Sequence, residues 1–529
     1  MSATLSEDQP ATGITDALYH HARTRPHADF VVFEEEKYTF REMALLVSEL
    51  ARTLHAAGVR PGQRIALMCS NRPAFLVAWF AINTLGAIAV PLNISLKGDS
   101  LRYTLEKSQS RLLLVEPALH QVTQRDLQAL PDLDIQYIGN AQEQASGLTD
   151  LNYPIADTPL SAADPACILF TSGTTGLPKG VVLSHAAYVM AGRDMSASLS
   201  LDANARIMVF LPLFHANPQM YAVCSALHTG CTLILIRRFS ASRFFEDAIR
   251  HRATGFTYVG TVLAILEKQH PETRHDHDLQ WCVGGGAPLR IWQAIESRFD
   301  IKVRELYGMT ETGGWVSMNL ENASRPGSVG KAREGVTLAI RDDTGALLPS
   351  GQKGEITVSA VEDNLFFTEY WDNPEETGKT LRDGWLYTGD RGWLDRDGYL
   401  YFDGRLKELI RRGGEMIAPA EIELQIMKHP GVRDCAVIGV PDDILGEEIK
   451  AVLVLRDHID IHTLKSHLHE HLPGFMLPRY VGFVQEIPKT ETQKVKRHEV
   501  LTMTMETRDL RDDMITNERK QRNAGARSE

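Results

Sequence analysis

Short apolar runs alternate with stretches of helical spacing along most of this chain. Near its start, residues 39–57 have helical spacing, whereas residues 64–69 and 112–115 are continuous apolar runs typical of buried strands. Further strands are predicted at residues 207–211, 232–236, 255–259, 281–283 and 302–306, with helices at 240–252 and 290–299. Buried strands separated by helices predict an α/β fold with mainly parallel sheets and helices on their faces.

Residues 75–92 form the most apolar stretch and are nearly long enough for a short transmembrane helix. Gly86 interrupts the stretch, Pro91 closes it, and the residues between them have the character of a strand. We therefore expect a buried helix followed by a buried strand, and no integral membrane segment. Residues 118–165 are polar and irregular, which predicts a surface excursion.

The last third of the sequence predicts smaller elements. Short strands with Gly and Asp turns follow residue 340 and indicate a small antiparallel region. Beyond residue 407 we expect a compact α+β unit, with helices at 419–428 and 462–472 and strands at 435–440, 451–455 and 481–484. The predicted organisation is a large N-terminal domain (1–406), a small C-terminal domain (407–504) and a charged, disordered tail (505–529).

Length and charge narrow the possible partners. A chain of 529 residues is too long for one core, and its formal net charge of −12 argues against a general nucleic-acid or anionic-membrane binder. Six cysteines without CxxC spacing are typical of buried thiols in a reducing compartment. The first residues include acidic side chains where a signal peptide carries basic ones, so we predict a cytoplasmic protein.

The strongest chemical signal is the sequence FTSGTTGLPKG at residues 170–180, which we call the phosphate loop. Glycines let the backbone approach an anion closely, while hydroxyls, main-chain N–H groups and a lysine supply donors and charge. The GK[ST] ending of the common P-loop is missing, because Pro178 precedes Lys179 and Gly180 follows it. The alternative interpretation of this sequence, which we call the structural alternative, is a turn with one solvated lysine and no ligand. The predicted phosphate-binding residues are Thr171, Ser172, Gly173, Thr174, Thr175, Gly176 and Lys179.

Three further motifs follow predicted strands or turns. In YGMTE (307–311), Glu311 can bind Mg²⁺ and Thr310 can touch a phosphate, because divalent magnesium prefers oxygen ligands. In YTGD (387–390), Asp390 suits the ribose hydroxyls, and Arg405 can add a polar contact. GGGAP (284–288) offers a flat backbone surface for a purine. These motifs add Gly285, Gly286, Ala287, Pro288, Tyr307, Gly308 and Met309 to the predicted ATP site, with Thr171 and Glu311 as metal ligands.

From about residue 30 to 500, the motifs and their order resemble the adenylate-forming superfamily of acyl-CoA synthetases, firefly-type luciferases and peptide-synthetase adenylation domains. The resemblance implies a mobile C-terminal lid with its hinge at Lys407, and a coenzyme A tunnel bordered by Arg412, Gly413, Gly414 and Glu415. It implies catalytic roles for Lys494, Thr310, Glu311 and His215. Gln493 stands where the family usually has a glycine before the lysine.

The implied activity is an ATP- and Mg²⁺-dependent ligation of a small carboxylic acid to coenzyme A through an acyl-adenylate. The residues implied for the acyl pocket are Phe214, His215, Asn217, Tyr258, Gly260, Gly284, Gly313 and Trp315. The stretch RRFSASRFFEDAIRHRAT (237–254), together with LFH (213–215), resembles carnitine- and crotonobetaine-type CoA ligases. Two alternatives stay open: an enzyme that loads a carrier-protein pantetheine, and an ATP-binding homologue with impaired catalysis. Whether the protein forms a homo-oligomer is also open.

Overall fold

The computed structural model describes residues 12–139, 160–171, 178–405, 409–456, 460–489 and 495–511. The chain divides into two compact units. The larger unit comprises Met1–Ile94, Tyr103–Thr171 and Lys179–Leu406, and the smaller comprises Ser95–Arg102, Ser172–Pro178 and Lys407–Glu529.

The largest sheet of the larger unit has nine strands. In spatial order they are Lys331–Ala332, Ser317–Met318, Lys302–Tyr307, Trp281–Gly285, Gly255–Val259, Arg206–Val209, Thr232–Leu235, Asp29–Phe33 and Glu36–Thr39. The strands from Lys302–Tyr307 to Asp29–Phe33 run parallel. Ile207 and Leu233 lie in one core cluster, whereas Met208 and Ile234 lie in another, so both faces of this sheet are buried. This arrangement confirms the predicted α/β class.

A second sheet of the larger unit has seven strands. Their order is Glu369–Tyr370, Lys179–Ser184, Pro165–Thr171, Ile88–Pro91, Arg64–Met68, Leu112–Val115 and Asp134–Tyr137. The last five strands are parallel, but the first three are paired antiparallel. The phosphate loop therefore joins two antiparallel neighbours rather than a strand and a crossover helix.

The third sheet of the larger unit is antiparallel, as predicted, and has five strands. They are Val336–Arg341, Gly354–Ala360, Trp385–Leu394, Leu381–Arg382 and Leu400–Arg405.

The described helices along the chain include one of 17 residues, Phe40–Ala56. The other α-helices are Asp16–Thr24, Pro73–Thr84, Gly98–Ser108, Pro117–Leu127, His185–Ser198, Cys224–Thr229, Phe244–Arg250, Gly260–Gln269, Leu289–Phe299, Pro374–Thr380, Pro419–Met427, Ile461–His471 and Arg497–Thr502. Shorter helical turns of other types lie at Pro218–Val223, Ala241–Arg243, Thr310–Thr312 and Gly474–Met476.

The smaller unit contains a sheet of six strands. Five follow one another in the order Glu415–Ile417, Ile410–Arg412, Gly446–Leu455, Tyr480–Phe483 and Thr507–Asp509, and Val432–Asp442 also pairs with Gly446–Leu455. The strand Thr507–Asp509 corrects the prediction of disorder for the first part of the tail. This strand pairs with Tyr480–Phe483 at three positions, and Asp509 accepts a hydrogen bond from Arg479 at 2.9 Å. Residues 512–529 lie outside the described residues.

The apolar stretch at 75–92 forms a buried helix and a buried strand, as expected. Every residue from Pro73 to Asn83 is buried, and the left-handed φ of +66° at Gly86 turns the chain toward Ile88–Pro91. Across the described ranges, no helix has the length and apolar character needed to cross a membrane. The expected irregular excursion at 118–165 is wrong at its start, where Pro117–Leu127 is helical and Asp134–Tyr137 is a strand.

The helix Phe40–Ala56 begins with a reciprocal cap. Thr39 Oγ1 accepts a hydrogen bond from the Glu42 main-chain N–H at 3.2 Å, and the Glu42 carboxylate accepts one from the Thr39 N–H at 2.8 Å. This capping box satisfies two N–H groups that a helix start would otherwise leave unpaired.

We predict that Thr39→Ala lowers the thermal midpoint of the larger unit by about 2 °C, because losing an N-cap side chain costs about 1 kcal/mol. Calorimetry measures this shift. The matched control is Thr53→Ala in the same helix, where the exposed hydroxyl donates to the Glu49 carbonyl, and its midpoint should not fall. Equal shifts in the two variants would contradict the role of the cap.

Candidate active site

The two ends of the phosphate loop are held together by strand pairing. Thr171 is the last residue of Pro165–Thr171, Lys179 is the first of Lys179–Ser184, and the two are register partners. Ser172, Gly173, Thr174, Thr175 and Gly176 lie outside the described residues. The structure therefore locates the loop by its two anchors.

Lys179 has two partners in the larger unit. Its ammonium group forms an ion pair with Glu376, on the short helix Pro374–Thr380, and lies 5.1 Å from the centre of the Tyr370 ring. Its side chain is only 11% exposed, so the lysine is not the solvated cation of the structural alternative. Sequence reasoning missed both partners, which lie about two hundred residues farther along the chain.

Glu311 lies in the turn Thr310–Thr312, directly after the strand that ends at Tyr307. Its side chain is buried, and its Oε1 accepts a hydrogen bond from the Tyr370 hydroxyl at 2.8 Å. Burial, followed by the Glu311 charge, raises the pKa of Tyr370, which keeps this hydroxyl a donor at neutral pH. Tyr370 thus links Glu311 and Lys179 into one connected group.

The described residues contain no cluster of three or more His, Cys, Asp or Glu side chains suited to a metal ion. Magnesium bound with a nucleotide does not need such a cluster, because it takes one or two protein oxygens beside phosphates and water. One buried carboxylate, Glu311, and the hydroxyl-bearing Thr171 at the start of the phosphate loop offer the oxygen ligands of that smaller requirement.

The sugar candidate Asp390 is 2% exposed and is fixed by two hydrogen bonds. Tyr307 donates its hydroxyl to Asp390 Oδ2 at 2.8 Å, and the Asp390 main-chain N–H donates to Thr388 Oγ1 at 3.1 Å. The Tyr307 ring also stacks on Phe402, with centroids 5.9 Å apart. Arg405 pairs with Asp390 in strand register, but its side chain lies outside the described residues.

The turn GGGAP (284–288), which is predicted to bind the purine, is held in place by a buried carboxylate. Glu305 accepts hydrogen bonds from the main-chain N–H groups of Gly286 at 2.6 Å and Ala287 at 3.1 Å, and from the hydroxyl of Tyr258. Gly286 needs its glycine because its φ is +93°. Gly285 ends the strand before this turn, and Pro288 caps the helix after it. Glu305 carries no motif signal, and sequence reasoning missed it.

The acyl-pocket candidates divide into two groups. Phe214 and Trp315 belong to one buried cluster, and the His215 ring packs on Phe214 at a centroid distance of 4.5 Å. The Tyr258 side chain lies in the other cluster, with its hydroxyl on Glu305, so the structure does not bring it together with them. The Tyr258 carbonyl oxygen accepts a hydrogen bond from Asn217 Nδ2 at 3.1 Å, so its main chain contacts another of the candidate residues.

Buried partners surround Trp315. The Arg333 guanidinium lies 4.2 Å from the centre of the indole ring and forms an ion pair with Asp194 at 2.6 Å. Tyr221 meets the same indole edge-on, with centroids 5.6 Å apart. This packing fixes the orientation of Trp315.

The candidate glycines are positions of close backbone approach. A Cβ atom at Gly260 would lie 1.8 Å from the Gly286 carbonyl oxygen, one at Gly284 would lie 2.0 Å from that of Tyr258, and one at Gly313 would lie 1.9 Å from that of Leu365. Gly308 is equally crowded, at 2.1 Å from the Gly314 carbonyl oxygen. Replacing any of them would force neighbouring backbone to move.

In the smaller unit, Arg412 and Glu415 are paired across a tight hairpin. Gly413 and Gly414 have φ values of +61° and +93°, the sign that a two-residue turn of this kind requires at both positions. The Arg412 guanidinium is bound to the buried Glu448 carboxylate and donates to the Phe475 carbonyl at 2.9 Å. Arg412 is therefore an anchor of this hairpin.

The hinge candidate Lys407 and the catalytic candidate Lys494 lie outside the described residues. Neighbouring Arg497 donates a hydrogen bond to Glu423 at 2.6 Å within the smaller unit. Lys496 forms an ion pair with Glu499 at 2.8 Å. Lys496 directly precedes the short helix Arg497–Thr502 and thus already has a carboxylate partner on that helix.

Two family models match this chain. The model described as AMP-binding enzyme matches residues 18–371, and the AMP-binding enzyme C-terminal domain matches residues 421–494. A crotonobetaine/carnitine–CoA ligase of Shigella flexneri is 32% identical over 477 residues, covering 87% of this chain and 92% of that protein.

Solved structures agree with the family matches. A double mutant of o-succinylbenzoate CoA synthetase from Bacillus subtilis, bound to a product analogue, has a TM-score of 0.84 at 26% identity and covers 94% of this chain and 99% of its own. An amide bond synthetase from Marinactinospora thermotolerans has a TM-score of 0.81 at 28% identity, covering 92% and 99%. Family members use ATP and coenzyme A as substrates and require Mg²⁺. The chain belongs to the AMP-binding enzyme family, as an acid–thiol ligase.

Proposed function

We propose that this protein joins a compact carboxylic acid to coenzyme A in two steps. In the first, a carboxylate oxygen attacks the α-phosphorus of ATP, the bond to the β-phosphate oxygen breaks, and pyrophosphate leaves. In the second, the thiol sulfur of coenzyme A attacks the acyl carbon, the bond to the AMP oxygen breaks, and AMP leaves. The observation that carries the proposal is the connected group Lys179–Tyr370–Glu311 beside the phosphate loop.

Each part of the larger-unit site has a proposed task. The phosphate loop and Lys179 bind the β- and γ-phosphates, and Thr310 contacts a phosphate. Glu311 and Thr171 hold Mg²⁺, which neutralises phosphate charge when bound. Asp390 accepts from the ribose hydroxyls, and Tyr307 orients Asp390. The turn at residues 284–288 forms the purine surface, and Glu305 positions it.

The smaller unit supplies the remaining proposed roles. Lys494 stabilises the negative charge that develops on the α-phosphoryl oxygens during adenylation. Lys407 is the proposed hinge, and the hairpin of Arg412, Gly413, Gly414 and Glu415 borders the path of the thiol. Gly413 and Gly414 leave that hairpin turn without side chains, which suits a pantetheine arm.

We infer a compact acyl group from the residues at the predicted pocket. Phe214 and Trp315 are bulky and buried, and His215 packs on Phe214. Arg333 and Tyr221 hold Trp315 in place, which argues against easy rearrangement for a long chain. The similarity to crotonobetaine/carnitine–CoA ligases favours short, betaine-like acids as the first candidates.

The direct test is pyrophosphate release from Mg-ATP over short, long, aromatic and betaine-like carboxylates, with and without coenzyme A, followed by mass analysis. We expect release that depends on a compact acid and a coenzyme A ester as product. Release without a coenzyme A ester would favour a carrier-protein or amine acceptor. No release with any acid would favour the impaired ATP-binding alternative that Gln493 keeps open.

We predict that Lys494→Ala lowers the adenylation rate about 10²- to 10³-fold, because it removes a charge that acts on the transition state. Thioester formation from preformed acyl-adenylate should fall less than about tenfold. Single-turnover measurements separate the two steps. Lys496→Ala is the matched control and should leave both rates nearly unchanged, because Lys496 pairs with Glu499. Equal losses in both steps would remove the assigned role from Lys494.

We predict that Glu305→Leu weakens Mg-ATP binding at least about tenfold, because the N–H groups of Gly286 and Ala287 lose their acceptor. Glu305→Gln keeps an acceptor oxygen and should weaken binding less than about threefold. Titration calorimetry measures the affinity, and thermal midpoints report folding. Tyr258→Phe removes the phenol donor to the same carboxylate but leaves the acceptor of the two N–H groups in place, and it is the matched control. Unchanged affinity in a folded Glu305→Leu variant would contradict the positioning role.

A further inference from the structure

The ion pair between Lys179 and Glu376 sets the cation of the phosphate site against a carboxylate of the same chain. Both side chains are largely buried, at 11% and 16% exposure. The pKa of Glu376 is lowered to about 2, first by its hydrogen bond with Lys179 and then by that with Lys379, so it is ionised at neutral pH. A polyphosphate that uses Lys179 must compete with this carboxylate.

Lys179 does not need Glu376 to keep its place. It opens the strand Lys179–Ser184 and pairs with Thr171 across the loop. The neighbouring strand places the Tyr370 ring against its ammonium group, and the Trp371 N–H donates to the Gly180 carbonyl at 2.7 Å. Backbone pairing on two sides thus positions the lysine, and Glu376 adds charge neutralisation.

Glu376 retains other stabilising contacts when Lys179 changes partner. Its Oε1 accepts a hydrogen bond from Lys379 at 2.8 Å, and its own N–H donates to the Asn373 side chain at the start of the helix. Glu376 also lies in the first turn of Pro374–Thr380, where the helix dipole favours a negative charge. The carboxylate can therefore release Lys179 without being left as an isolated buried charge.

We propose that Glu376 is a competing counter-ion for Lys179. It neutralises the ammonium group whenever phosphate is absent, gives it up to the β- and γ-phosphates of Mg-ATP, and re-forms the ion pair as pyrophosphate leaves. The exchange weakens the hold on pyrophosphate and so speeds its release. This inference rests on the proposed function, because it requires Lys179 to bind phosphate.

The test is binding of Mg-pyrophosphate and Mg-ATP by titration calorimetry, which needs no knowledge of the acid. Glu376→Gln should bind Mg-pyrophosphate at least about fivefold more tightly, because fivefold is the upper range for an exposed ion pair and this pair is largely buried. The matched control is Glu375→Gln, which removes an equal charge from the same helix turn. Glu375 is 80% exposed and pairs with Lys379, so that variant should bind pyrophosphate as the wild type does.

A double-mutant cycle isolates the contact. The tighter binding in Glu376→Gln should disappear when Lys179→Ala is combined with it, because the proposed effect acts through that ammonium group. Weaker or unchanged pyrophosphate binding in a folded Glu376→Gln variant, or a gain that persists without Lys179, would overturn the inference alone. Wild-type protein that binds neither Mg-ATP nor Mg-pyrophosphate would overturn both the inference and the proposed nucleotide site.

Discussion

The candidate site depends on one piece of backbone pairing, the antiparallel ladder between Pro165–Thr171 and Lys179–Ser184. Its last register pair, Thr171 with Lys179, fixes both ends of the phosphate loop. The parallel strands of the same sheet bury one side of this hairpin, and Glu369–Tyr370 covers the other. Because the strand Glu369–Tyr370 pairs with Lys179–Ser184, the Tyr370 ring contacts Lys179 while its hydroxyl donates a hydrogen bond to Glu311. One hydrogen-bonding pattern therefore sets the positions of a cation, an aromatic ring and a carboxylate.

The buried carboxylates at this site differ in the hydrogen-bond donors that they accept from. Glu305 accepts hydrogen bonds from two main-chain N–H groups and one phenol, so its charge is used to hold a turn. Asp390 receives the Tyr307 hydroxyl and lies on the strand opposite Arg405. Burying such charges is unfavourable unless they are well bonded, and here each named carboxylate has hydrogen-bond donors. These donors thus account for the burial of both negative charges.

Motifs that are contiguous in sequence could be predicted, and their distant partners could not. Residue type and spacing identify the phosphate loop, YGMTE and YTGD in the sequence. The alternation of apolar runs with helical segments predicts the α/β class. Tyr370, Glu376 and Glu305 have no such signature, because packing between remote segments brings them to the site. Composition also fails to predict the strand Thr507–Asp509. This strand is held by backbone hydrogen bonds and by the buried side chain of Leu510, not by an apolar run. The position of the Tyr258 side chain could not be predicted either. Side chains alternate between the two faces of a strand, and this one lies on the face that packs in the other core cluster.

The charge balance at the larger-unit site favours a nucleotide that arrives with its metal. The described carboxylates Glu311, Asp390 and Glu376 belong to the candidate nucleotide site, and Lys179 is already neutralised by an ion pair with Glu376. A free polyphosphate would meet these negative charges with little compensation, in a protein whose net charge is also negative. Magnesium would change that balance, because it adds positive charge to the incoming phosphates. If Glu376 takes back Lys179 as proposed, the charge already present in the chain also favours release of pyrophosphate.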